Sequence, residues 1–272
     1  MSNSKYKTFS FLSGLLCLLI CLGSYNGLFT PGFYHLETLN WQAQSVGQDI
    51  VNLFLICPLL LFLSVLIYLK KEYAFFIWAG TLLYLIYTYI IYCFNIHFNN
   101  YFILYCLSLG LSFYLFIYFI YIQLSRPATA LTIKNPRMIA VYFISVAILF
   151  YLLWLADIIP AISNNTIPES LLKAGLVTNP VHVLDLSIIL PGILITGILL
   201  LKRRTIANIL APILLSFIIL MDITICALII YMIVQQVESG YMVAIVMIGL
   251  AVFSTILLIQ CLKTQKHFNE KD

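Results

Sequence analysis

The chain has 272 residues, 63% of them hydrophobic and 9% charged, with a mean hydropathy of +1.05. A soluble domain carries about 25% charged and about 45–50% apolar residues, so a water-soluble globular fold is excluded and an all-α integral membrane protein is expected. The net charge of +4 is spread over short segments instead of a patch, which argues against a nucleic-acid partner and makes membrane lipid the expected surroundings.

The first apolar run, 9–29, follows MSNSKYK and is long enough to cross a bilayer, for which roughly 20 residues suffice. It lacks the small-residue cleavage pattern of a signal peptide and is expected to be the first membrane helix. Further runs fall at about 49–69, 73–93, 101–123, 139–158, 182–201, 207–233 and 241–262, giving about eight transmembrane helices. Alternation of period two is absent, so these are helices and not barrel strands.

Basic residues orient the runs. Lys5, Lys7, Lys70, Lys71, Arg126, Lys134, Arg137, Lys202, Arg203, Arg204, Lys263, Lys266 and Lys271 fall on one side if eight helices alternate, with Lys173 opposite. Positive residues stay in the cytoplasm, so both termini are expected there, in the cell (cytoplasmic) membrane. The longer loops, 30–48 and 159–181, are then extracytoplasmic. The first carries Phe33, Tyr34 and Trp41, aromatics suited to headgroup depth, and is expected to lie along the interface.

The second and sixth runs share a pattern. Asp49, Asn52, Pro58 and Lys70 recur 133 residues later as His182, Asp185, Pro191 and Arg203. This suggests two parallel four-helix repeats, 1–124 and 125–272, related by an axis normal to the membrane, with no soluble domain. Two residues three apart share a helix face, so Asp185 is placed to orient the His182 imidazole, with Asp49 and Asn52 presenting a matching face. Capping is the bland alternative: Asp49 suits an N-cap, and Asn179-Pro180 reads as a helix start.

Other polar groups fall on the same side. FNIHFNN supplies His97, and Asp157 and the His35/Glu37 pair lie nearby. His97, His182, Asp185 and Asp49 form a candidate ligand set for a divalent metal, although no local metal-binding spacing supports it and no cofactor is identified. Asp222, in the middle of the seventh run, is costly in lipid and must face the bundle interior, with Thr224 or the tyrosines of the third run as available partners. Those tyrosines, Tyr84, Tyr87, Tyr89 and Tyr92, are expected mainly to pack. Pro58, Pro191 and Pro212 interrupt helices and free backbone carbonyls. The seven cysteines lie in apolar runs without C-x-x-C spacing and read as small hydrophobes.

No Walker A, G-x-S-x-G, H-E-x-x-H or helix-turn-helix signal is present, which argues against nucleotide or nucleic-acid chemistry. The ligand-binding candidates are therefore Asp49, Asn52, His97, His182, Asp185 and Asp222, with no catalytic residue assigned. The first functional expectation is a carrier or ligand-binding protein for a small or lipid-like molecule, with an extracytoplasmic polar site between two halves. The alternatives are a membrane-embedded hydrolase or transferase at the outer leaflet, metal-dependent in one version, and an accessory or sensor subunit without a site.

Overall fold

The computed structural model describes residues 3–125, 133, 135–237 and 240–269. Arg126, Lys134 and Lys271, assigned above to the basic side, lie outside the described residues, as do the side chains of Lys266 and His267. The described chain is helical: α1 (Asn3–Phe29), α2 (Leu39–Tyr68), α3 (Glu72–Asn95), α4 (Phe102–Leu124), α5 (Pro136–Ser163), the short α6 (Glu169–Ala174), α7 (Pro180–Leu201), α8 (Thr205–Val234) and α9 (Tyr241–Asn269). Eight of them, all but α6, are long and apolar enough to cross a membrane.

Two boundaries differ from the sequence expectation in a way that matters for the site. Helix α2 begins ten residues earlier than hydropathy indicated, at Leu39. Thr38 caps it by accepting from the Trp41 amide (3.2 Å), and WQAQSVGQ is helical because Trp41, Ala43 and Ser45 bury against neighbours. Tyr34 and Trp41 are accordingly buried and not spread along an interface; the indole Nε1 of Trp41 donates to the Asn95 carbonyl (2.9 Å). Asp49 does not cap α2, since it lies ten residues inside it. Asn179 does cap α7, its side chain accepting from the Val181 amide (3.0 Å).

Pro58 and Pro191 each sit just after a π turn, Asn52–Ile56 and Asp185–Ile189. Proline offers no amide and crowds the preceding turn, so the ladder opens there by one residue without breaking the helix. Both helices end alike. Lys70 (φ 62°) and Arg203 (φ 52°) adopt the left-handed conformation, and the amides of Lys71 and Arg204 return to Leu66 and Leu199, both at 2.9 Å, closing a Schellman cap. The starts of α1 and α5, the two π turns, the two caps and the starts of α3 and α8 are all separated by 133 residues.

Helices α3 and α8 form the centre, and they touch where Gly80 meets Ser216 and the Ile213 carbonyl; a Cβ on Gly80 would collide with both. Around them, α1 packs on α2 and α4, α3 on α2 and α4, α5 on α7, and α8 on α7 and α9, while α8 also packs on α2. The outward faces of α4, α5 and α9 expose long apolar rows, including Tyr114, Tyr121, Leu152, Ile245 and Ile248. A water-facing surface rarely carries continuous apolar area on this scale, whereas lipid favours it. One end of the bundle carries Lys70 and Arg203 and is called the basic end below. The other, carrying 30–38 and 164–179, is the loop end.

Candidate functional site

Helix α3 distributes the buried polar contacts. The Tyr92 hydroxyl donates to Asp49 (2.8 Å) and the Tyr87 hydroxyl to Asp185 (3.2 Å). Gln48 Nε2 donates to the Tyr84 hydroxyl (2.6 Å) and to Asn52 Oδ1 (3.0 Å), and Tyr84 in turn meets Thr224 (2.9 Å). Tyr84, Tyr87 and Tyr92 of α3 therefore do more than pack: they carry hydrogen bonds to α2, α7 and α8. The i, i+3 spacing of Tyr84 with Tyr87 and of Tyr89 with Tyr92 is the sequence signal for this, and it does not identify the partners.

Asp49 is fully enclosed. Tyr34 donates to its second oxygen at 2.5 Å, so two phenols from a loop and from α3 close on one carboxylate. Burial and the Asp49 charge push the Tyr34 phenol well above the usual tyrosine range, which keeps it a donor. Gly27 of α1 lies against the carboxylate, where a Cβ would overlap Asp49 and the Tyr34 hydroxyl. Tyr89, Tyr92 and Tyr105 cluster beside it in tilted and T-shaped contacts, with ring centroids 5.1–6.2 Å apart. This arrangement fastens the 30–38 loop to the bundle, and it leaves no room for a ligand.

His182 and Asp185 do not act as a pair. Asp185 accepts from Tyr87 and, at 2.9 Å, from the Trp154 indole, while the His182 ring lies on Trp154 with centroids 4.6 Å apart. The helix is regular between the two residues, the Asp185 amide bonding the Val181 carbonyl, and both side chains turn to Trp154 instead of to each other. Trp154, in the second half of α5, is the residue that sequence reasoning missed.

The other candidates are also held apart. His97 is exposed and binds Glu37 through its amide (2.8 Å) and its ring Nδ1 (3.0 Å). Asn52 spends its oxygen on Gln48, and its Nδ2 is buried without a partner. Asp222 is buried in α8, but Thr224 is taken by Tyr84 and by the Leu220 carbonyl, and one Asp222 oxygen has no hydrogen-bond partner. Among the described residues, no three His, Cys, Asp or Glu side chains gather as a metal site would require. The structure thus gives Asp49 and His97 partners of their own, Tyr34 and Tyr92 for the first and Glu37 for the second, while His182 and Asp185 meet the same Trp154 side chain.

An opening does lie beside His182. A pocket of about 460 Å³ is bounded by the end of α5, the 168–171 turn and the start of α7. Its walls are Ile158, Leu171, Val177, Val183 and Leu186, with polar points at Ser170, Thr178, Asn179, His182 and Ser187. An apolar pocket of this size with a few convergent polar groups is the usual form of a small-molecule site. Ser170 does not have the arrangement of a hydrolytic nucleophile: its hydroxyl donates to Asp157 (2.7 Å) and not to an imidazole. The pocket is suited to binding more than to acyl transfer. No family model, characterised protein or solved structure matches the chain.

Proposed function

We propose that the chain is a multi-pass protein of the cell membrane, with both ends in the cytoplasm, that binds a small lipid-like or weakly polar molecule in the His182 pocket, reached from the extracytoplasmic side. The observation that carries this reading is the pocket itself, apolar in its walls, with His182 at its rim and Trp154 behind the imidazole. Eight apolar helices and exposed apolar outer faces support the membrane setting. The repeated 133-residue spacing of helix starts, π turns and caps supports an origin by duplication of a four-helix unit, with the two copies in one orientation. The site is then a property of the second unit, not of a seam between the two.

The stacked indole provides the assay. Protein in nanodiscs is titrated with a bromine-labelled monoacyl lipid while tryptophan emission is recorded. Saturable quenching is expected, absent in Trp154→Phe and shifted at least tenfold to weaker binding in His182→Ala and in Ser187→Phe, which fills the mouth. Quenching that rises linearly with probe and is indifferent to all three substitutions would end the reading.

A further inference from the structure

The basic end holds a second and larger opening, away from the His182 pocket. It lies between the start of α5, the end of α7 and the middle of α9, and encloses about 1050 Å³. Arg137 and Arg203 stand on its rim, and Met138, Val141, Tyr142, Leu201 and Phe253 form its walls. Both arginines are exposed, and neither has an acidic partner among the described residues. Tyr142 joins α5 to α9 at the edge of the cleft, its hydroxyl bonding Ser254 (2.6 Å) and its ring packing on Phe253 (5.1 Å).

The chemistry of the cleft is divided by depth. Its mouth offers two guanidiniums, groups that bind phosphate oxygens in forked pairs, while its walls are mainly hydrocarbon and aromatic, with Asn135 and Ser145 as the further polar lining residues. The left-handed cap at Arg203 ends α7 and leaves this guanidinium at the cleft. A free phosphate would use the mouth and leave the walls bare; a neutral lipid would do the reverse. Only an amphiphile with a negative headgroup uses both. We propose that the α5–α7–α9 cleft binds an acidic phospholipid of the surrounding leaflet, its phosphate between Arg137 and Arg203 and an acyl chain along Val141, Tyr142 and Phe253. The proposal rests on the membrane setting argued above, but not on the His182 pocket.

Protein reconstituted in nanodiscs of phosphatidylcholine with a minor share of phosphatidylglycerol is released into the gas phase, and the lipids that remain bound are counted by native mass spectrometry. Phosphatidylglycerol is expected to be retained in preference to its share. Arg137→Gln and Arg203→Gln each reduce that preference about fivefold, and the double variant abolishes it. Gln is tolerated at the left-handed position, as Gln236 (φ 59°) shows, so Arg203→Gln leaves the cap intact. Arg204→Gln, one residue outside the cleft lining, keeps the preference and controls for general surface charge. Inorganic phosphate at millimolar concentration does not displace the lipid. An unchanged preference in the double variant, an equal loss in Arg204→Gln, or displacement by phosphate alone each overturns the proposal. Failure of the His182 quenching assay leaves this result untouched, so the two readings fail separately.

Discussion

The first four helices and the last five share the 133-residue spacing of helix starts, π turns and caps but differ in the side chains placed on it. At the basic end of α1–α4, Phe9 packs edge-on against Phe75 (5.5 Å) and Trp78 (5.2 Å) and stacks on Tyr118 of α4 (5.4 Å), so α1 and α4 are sealed together. The residue 133 positions later is Tyr142, which has one hydroxyl bond and one ring contact to α9 and borders a cleft. At the loop end, Asp49 is locked between two phenols, whereas its counterpart His182 borders a pocket. The backbone periodicity is the same in both halves. Openings lie where aromatic volume is missing: the first half is closed at both positions, and the second borders a pocket and a cleft.

Five substitutions test that contrast. Phe9→Ala removes a ring from the sealed seam and is expected to cost about 3–5 kcal/mol of unfolding free energy, read from denaturant titration in mixed micelles; a loss below ~1 kcal/mol would mean the seam is not closed. Asp49→Ala orphans two buried hydroxyls, each worth ~1–3 kcal/mol, so a loss of about 2–5 kcal/mol is expected. Asp185→Ala should cost less, about 1–2 kcal/mol, because Trp154 is only half-buried and water can satisfy its indole. Finding the two aspartate variants equal would erase the distinction between the halves at this end.

Tyr142→Phe deletes a single hydroxyl contact and should lower stability by about 0.5–1.5 kcal/mol while leaving the cleft open, so lipid retention in the native mass spectrum is unchanged. A similarly small stability effect is expected from His182→Ala. It loses one ring contact, worth about 0.5–1.5 kcal/mol at most, yet it shifts the Trp154 emission maximum because the indole face becomes open to the pocket. A large loss of stability without a spectral shift would make His182 a structural residue.

Much of this architecture is legible in the sequence. Eight apolar runs correspond to eight long helices, and the spacing of Asp49, Asn52, Pro58 and Lys70 with their later counterparts extends to helix starts and caps. Local chemistry also identifies Asn179 as a cap. The polar start of α2 was not legible, since Trp41, Ala43 and Ser45 become helical only by burial against other elements. Nor were the partners of the carboxylates. Asp49 and Asp185 are satisfied by Tyr34, Tyr92, Tyr87 and Trp154, and these contacts depend on how helices pack, which spacing along one helix does not contain. The clefts are least legible, because an opening is a shortfall of side chains between distant segments.

The π turns of α2 and α7 carry a further consequence. A π turn accommodates one additional residue, and one residue corresponds to about 100° of rotation about a helix axis. Everything on the N-terminal side of Asn52 and Asp185 is therefore turned by roughly that angle from where a regular helix would carry it. In these two helices the inserted residue works as a bearing setting: it points Asp49 at Tyr92 and His182 at Trp154 while the apolar halves below continue undisturbed. Removing a single residue at either turn would leave composition and hydropathy almost untouched, and would swing the polar half of that helix toward lipid.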